Sequence, residues 1–196
     1  MKKELSINHQ KYKNLYYPPG GILLWIIIFL ELITFGLALL AMAHSGKENP
    51  EVFHESRLLL NSTIGTVNTL FLIVSGFFMA TSVWYLKQSN QKKSLLFLKL
   101  TMLGGFFFLV LKSIEYAHKI EMGYTIGYNT FFTYYWMLTL FHVIHVVVGL
   151  IILLLIHKGI SKNTSTTIED VEASAAFWHM CDLIWLLLFP ILYLLF

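Results

Sequence analysis

The chain has little charge and almost no cysteine. Charged side chains make up 13% of its 196 residues and hydrophobic ones 57%, a balance that excludes an ordinary water-soluble domain and is typical of integral membrane proteins. Its one cysteine, Cys181, excludes an internal disulfide framework and a CxxC metal or redox site. The net charge of +3 is too small to indicate a nucleic-acid partner, and the lysines are spread along the chain.

No cleavable signal peptide is predicted, because residues 1–19 are polar and the apolar run after them is long enough to span. Five apolar stretches can each cross a bilayer, which takes roughly 20 helical residues. The sequence therefore predicts an all-α integral membrane bundle of five transmembrane helices, residues 20–196, behind a cytoplasmic N-terminal arm, residues 1–19. The predicted spans are about 20–43, 62–86, 95–117, 130–156 and 174–196.

The placement of lysine and arginine predicts the orientation of the bundle. With the N-terminus inside, ten of the 14 basic residues fall on the inner side and four on the outer side. Five spans then place the C-terminus outside. The expected topology is N-in and C-out.

The last span contains a carboxylate that hydrocarbon excludes. Asp182 must face protein, because a charge at such depth costs about 2.5–3.5 kcal/mol even on insertion scales. His179 lies three residues before it and Trp185 three after, so all three share one helical face. This face is either a packing surface held by polar contacts or part of a proton-handling site.

Two further polar groups lie in earlier spans. Glu31 is about 16 Å along the first helix from Gly20 and is expected to be neutral and hydrogen-bonded, since burial disfavours its charged form. We interpret it as a proton-relay carboxyl or a lipid or partner contact, in preference to a purely structural group. In the third span Lys112 and Glu115 are three residues apart, which predicts a structural ion pair at the outer boundary with Lys112 reaching toward the headgroups.

Two histidines of the fourth span, His142 and His145, are three residues apart and are expected to face the same way. Histidine is the commonest metal ligand, and His179 on the next helix could supply a second axial ligand to a haem. A one-sided histidine pair without thiolate partners is a poor ligand set, however. Interhelical hydrogen bonding is therefore the preferred interpretation of these histidines.

The motifs of all five spans together resemble subunit III of the haem-copper oxidases (the cytochrome c oxidase subunit 3 family) in its short five-span bacterial form. The last span is similar to the family's W-H-F-V-D-x-V-W signature, the fourth to F-H-x-x-H-V-x-x-G and the third to Q-x-x-E-Y. The resemblance covers nearly the whole chain from about residue 20. The matching residues are Trp25, Glu31, Asn68, Thr69, Ser75, Glu115, Tyr116, Phe141, His142, His145, Val146, Gly149, Glu172, Ala175, Ala176, Trp178, His179, Asp182 and Trp185.

The chain departs from the family pattern at several points. Leu30 replaces the serine before the glutamate, Lys112 stands where glutamine is usual, and Met180 and Cys181 replace phenylalanine and valine. The two additional N-terminal spans of the long, mitochondrial-type subunit have no counterpart here. Lipid binding in the cleft that those spans form is therefore not transferred to this chain.

The resemblance implies a non-catalytic subunit of a terminal oxidase in the bacterial inner (plasma) membrane. Its partners would be oxidase subunits I and II and membrane lipids. Haem and copper are expected in those partner subunits and no cofactor or catalytic residue in this chain. Three alternatives stay open: a NorE-type accessory subunit of nitric oxide reductase, a freestanding proton or ion transporter built around Glu31 and Asp182, and a b-type cytochrome that uses His142, His145 or His179.

Overall fold

The computed structural model describes residue 18, residues 20–162 and residues 166–196. Five of the six helices in this part of the chain are long and apolar enough to cross a membrane, which confirms the predicted all-α bundle. Of the predicted arm, residues 1–19, only Pro18 is among the described residues. The helices are α1 (Gly21–Glu48), α2 (Pro50–Leu58), α3 (Ser62–Lys87), α4 (Gln91–Glu121), α5 (Thr130–Ser161) and α6 (Ile168–Tyr193).

The long helices extend beyond several of the apolar stretches because their polar end turns are capped. The side chains of Asn61, Asn90 and Asn129 accept backbone N–H bonds at the starts of α3, α4 and α5. Thr167 and Asp170 form a reciprocal capping box at the start of α6. Each cap satisfies N–H groups that have no partner within the helix, and α4 and α6 accordingly begin at residues 91 and 168, before the predicted spans at 95 and 174.

The short helix α2 was not predicted, because it is too short and too polar to resemble a span. It closes one end of the bundle, where the fully buried ring of Phe53 packs edge-on against Phe131 and Phe196. Asn129 Nδ2 donates to Ser56 Oγ at 2.7 Å and joins α5 to α2. The polar connection between α1 and α3 is therefore a folded cover for the bundle.

Helix α6 lies at the centre of the bundle and packs against α1, α3 and α5, while α4 packs against α3 and α5. Two fully buried tryptophans of α6 fix its position. Trp178 Nε1 donates to Ser75 Oγ at 2.9 Å, and Trp185 Nε1 donates to Thr69 Oγ1 at 3.0 Å. Both bonds reach α3, so each tryptophan is bonded to a residue more than a hundred positions earlier in the sequence.

Close approach at this centre depends on glycine. A Cβ placed on Gly105 of α4 would lie 2.5 Å from the Trp178 ring, and one on Gly149 of α5 would lie 3.0 Å from the same ring. Small residues at such crossings let helices pack closely within a membrane. The Trp178 ring therefore occupies the space that the missing side chains leave.

We predict that Gly105→Ala lowers the free energy of unfolding in detergent micelles by about 1–3 kcal/mol, because the added methyl overpacks against a rigid buried ring. Gly36→Ala in α1 is the matched control, since a Cβ there has no atom within 4 Å. It is expected to be neutral or stabilising by up to about 1 kcal/mol, from helix propensity alone. Equal effects of the two substitutions would contradict the packing at Trp178.

Candidate functional site

The largest buried polar cluster joins α4, α5 and α6. Lys112 Nζ donates to Glu115 Oε2 at 3.1 Å, to the Tyr135 hydroxyl at 3.2 Å and to the Tyr193 hydroxyl at 2.8 Å. The two tyrosine hydroxyls donate in turn to Glu115 Oε1, at 2.7 Å from Tyr135 and 2.6 Å from Tyr193. All three ammonium hydrogens and both carboxylate oxygens thus have partners, as a buried ion pair requires.

The prediction that Lys112 reaches toward the headgroups is wrong, although the predicted ion pair with Glu115 is present. The lysine is 1% exposed, and its ammonium lies 4.9–5.5 Å from the ring centres of four aromatic residues. The buried positions of α4 alternate at spacings of four and three, the seam of closely packed helices, and Lys112 and Glu115 both lie on this seam. These positions are Ser94, Leu98, Thr101, Gly105, Phe108, Lys112, Glu115 and Lys119.

Glu31 is not isolated, as the sequence indicated, but faces a histidine of α5. Its Oε2 lies 3.3 Å from His145 Nε2, and the two side chains are 23% and 13% exposed. His145 Nδ1 lies 2.8 Å from the Phe141 carbonyl, which can only accept, so Nδ1 carries a proton. Glu31 Oε2 is within ion-pair distance of His145 Nε2, although among the described residues it has no hydrogen-bond partner of good geometry.

His142 and His145 both contact the Phe35 ring of α1, at 6.5 and 5.8 Å between ring centres, but their other surroundings differ. His142 is fully buried, with its ring 5.7 Å from Phe108 and 5.3 Å from Trp185 between ring centres. Among the described residues neither of its ring nitrogens has a hydrogen-bond partner. The expectation of an interhelical hydrogen bond is therefore met by neither nitrogen of His142, and its contacts are those of an aromatic ring.

The polar groups of α6 pair either with another residue of α6 or with a residue of α3. Asp182 Oδ2 lies 3.4 Å from His179 Nδ1, and its carboxylate packs directly against Gly76 of α3. At the start of the helix, Glu172 forms an ion pair with Lys87 at the end of α3. The shared face of His179, Asp182 and Trp185 is thus a packing face toward α3, with His179 at its edge.

The three histidines of the predicted sites do not converge. His142 lies among aromatic rings, His145 faces Glu31, and His179 faces Asp182. Within residues 20–162 and 166–196 no group of three or more histidine, cysteine or acidic side chains is arranged to hold a metal ion. Each of these polar groups instead contacts a neighbour that holds it in place.

Comparison with known proteins identifies the family of the chain. The family model of cytochrome c oxidase subunit III matches residues 20–195, and the chain belongs to that family. A probable cytochrome c oxidase subunit 3 of Rickettsia conorii is 32% identical over 132 residues, which are 65% of this chain and 46% of the relative. The chain thus spans about half the length of that relative.

Shorter relatives are covered more fully. A probable quinol oxidase subunit 3 of Staphylococcus saprophyticus is 26% identical over 87% of this chain and 86% of its own length. A cytochrome c oxidase subunit 3 of Synechocystis is 31% identical over 89% of this chain and 74% of its own length. These names support subunit III of a haem-copper oxidase and a multi-pass protein of the plasma membrane, and they give no support to the nitric oxide reductase alternative.

We predict that Lys112→Ala lowers the free energy of unfolding in micelles by about 3–5 kcal/mol, because it leaves the Glu115 carboxylate buried without its cation. The double variant Lys112→Leu with Glu115→Leu is expected to cost less than this single change, since no charge stays buried. Lys99→Ala, at an exposed position of the same helix, is the control and should change stability by less than about 0.5 kcal/mol. A Lys112→Ala protein as stable as the control would place Lys112 outside the bundle.

We also predict that a membrane-soluble carbodiimide, which attacks protonated carboxyls, modifies Glu31 in preference to Glu115 and Asp182. The Glu31 side chain is 23% exposed, against 2% for Glu115 and 11% for Asp182. Glu31→Gln should keep helix assembly, since its amide still donates to His145 Nε2, whereas Glu31→Ala should loosen it. Peptide mass spectrometry locates the label, and preferential labelling of Glu115 or Asp182 would be inconsistent with this geometry.

Proposed function

We propose that the chain acts as the non-catalytic subunit III of a bacterial haem-copper terminal oxidase. In this role it packs against the catalytic subunit I, beside subunit II, and stabilises it during turnover. The match of the subunit III model to residues 20–195 and the oxidase names of the relatives support this function. The haem and copper centres of the reaction belong to those partner subunits, so the contribution of this chain is structural and environmental.

The observation that carries the proposal is the set of contacts between helices that the motif residues make. Trp178 and Trp185 bond to α3, Glu115 bonds to Tyr193 of α6, and Glu31 faces His145 of α5. These motif residues therefore each join one helix of the bundle to another, and they do not meet around a common reaction centre. Such a distribution is expected of a scaffold rather than of an enzyme.

Two supporting roles follow from the chemistry of the bundle. Molecular oxygen is apolar and partitions into hydrocarbon, so the long apolar faces of this chain would let it reach the catalytic subunit from the membrane. A rigid neighbour would also keep the proton-uptake entrance of subunit I in its working conformation. We propose both roles, oxygen access and sustained proton uptake, as the physiological purpose of the chain.

The proposal is tested by tagging this chain in its native membrane, purifying the complex and then separating the subunits. We expect haem absorption to follow the partner subunit and the isolated chain to show no Soret band. A Soret band that stays with the isolated polypeptide and disappears in His145→Ala would instead identify a b-type cytochrome. Purification of the tagged chain without any haem protein would contradict the oxidase assignment.

A second measurement concerns the supporting roles. Complexes that lack this chain are expected to consume oxygen at a reduced but measurable initial rate per haem, and to lose activity faster during turnover. The redox chemistry continues because its centres are elsewhere, while the stabilising contact is gone. Complete loss of the initial rate in an otherwise intact catalytic subunit would show that this chain takes part in the reaction itself.

A further inference from the structure

One polar group of the bundle is directed away from the chain into the membrane. The side chain of His179 is 44% exposed, in contrast to the 13% of His145 in its pair with Glu31. Its Nδ1 faces Asp182, and within residues 20–162 and 166–196 its Nε2 has no hydrogen-bond partner. The imidazole is therefore held from inside the bundle and open on its outer side.

His179 lies too deep for the lipid headgroups to satisfy it. It is seven residues beyond Glu172, whose ion pair with Lys87 joins the ends of two spans, and this spacing corresponds to about 10 Å of helix. It is 14 residues, or about 21 Å, from Tyr193 at the other end of α6. Both distances exceed the reach of an imidazole, and acyl chains offer no hydrogen-bonding group.

The neighbours of His179 complete a surface that a helix can cover. Leu183 and Leu186 lie one and two turns further along the same side of α6 and are 45% and 42% exposed. Helix α6 meets α3 through Asp182 and α1 near Ala173, so this stripe lies between those two helices. We call the surface formed by His179, Leu183 and Leu186 the α6 stripe.

We infer that the α6 stripe is the contact surface for a transmembrane helix of the catalytic subunit, and that this helix donates a hydrogen bond to His179 Nε2. Asp182 Oδ2 lies 3.4 Å from Nδ1, and a carboxylate at this position favours the tautomer with Nδ1–H and the Nε2 lone pair outward. The same carboxylate–histidine arrangement orients histidines toward metals in other proteins. The recognised group is thus an N–H or O–H donor on an otherwise apolar membrane helix. The inference rests on the proposed function and adds the contact surface to it.

Lipid alone does not explain the stripe. In a second polar pair at depth, Glu31 with His145, both histidine nitrogens face groups of the chain itself, the Phe141 carbonyl and the Glu31 carboxyl. In the pair on α6, His179 Nε2 has no hydrogen-bond partner among the described residues, and the surrounding hydrocarbon cannot supply one. A protein helix supplies the missing donor at the same depth, which neither acyl chains nor headgroups do.

The test is photo-crosslinking in the intact membrane complex. A benzophenone amino acid at Leu183 is expected to crosslink to the catalytic subunit, whereas the same group at Leu40, which is 68% exposed on α1, should crosslink several-fold less. Crosslinks from Leu183 only to lipid, or to a second copy of this chain, would overturn the inference. Failure of the tagged chain to purify with any haem protein would refute the proposed function instead, so the two failures are distinguishable.

Substitution of His179 tests the hydrogen bond. His179→Leu is expected to weaken retention of the catalytic subunit in detergent by about three- to twentyfold, as for single polar contacts between membrane helices, and His179→Gln should restore part of it. His44→Leu is the control, because His44 is 75% exposed at the end of α1 and pairs with Glu48. Equal retention by the His179→Leu and His44→Leu proteins, both folded by circular dichroism, would exclude the proposed contact.

Discussion

Hydrocarbon offers no hydrogen-bond partner, and most features of this bundle follow from that constraint. A polar atom within the spans is therefore costly unless the chain itself or a partner protein bonds it. Lys112 and Glu115 meet the requirement with two tyrosine hydroxyls, and the tryptophans of α6 meet it with hydroxyls on α3. Because each of these bonds crosses between helices, satisfying the polar groups also fixes the helices relative to one another.

This constraint also explains the use of small residues. The hydrophobic effect gives helices within a membrane little reason to associate, so close packing and interhelical bonds hold them together. Gly76 brings the Asp182 carboxylate against α3, and Gly105 and Gly149 receive the Trp178 ring. The signature residues of the subunit III family are in this chain the residues at which helices touch. Although many of these residues are polar, their common role here is to form contacts between helices.

The sequence predicts much of the fold, because span length and apolar composition are local properties. It also identifies Glu31 and Asp182, since an acid within an apolar run stands out by itself. The sequence alone could not reveal that Glu31 faces His145, because that distance depends on how α1 and α5 pack. Lys112 was assigned to the membrane edge because hydropathy reports depth along a helix and not the direction of a side chain. The alternating spacing of buried positions on α4 gives that direction, and it is known only once the helices are packed.

We propose, as the central claim, that Glu31 and Asp182 hold helices in place and do not transfer protons during turnover, in contrast to the proton-relay role that the sequence favours for Glu31. The most direct measurement is the initial oxygen consumption per haem of a purified complex that carries both Glu31→Gln and Asp182→Asn. These amides keep the shape and one hydrogen bond of each acid but cannot exchange its proton. The account predicts an initial rate close to that of the unmodified complex. A fully assembled complex of normal stability that no longer consumes oxygen would contradict it.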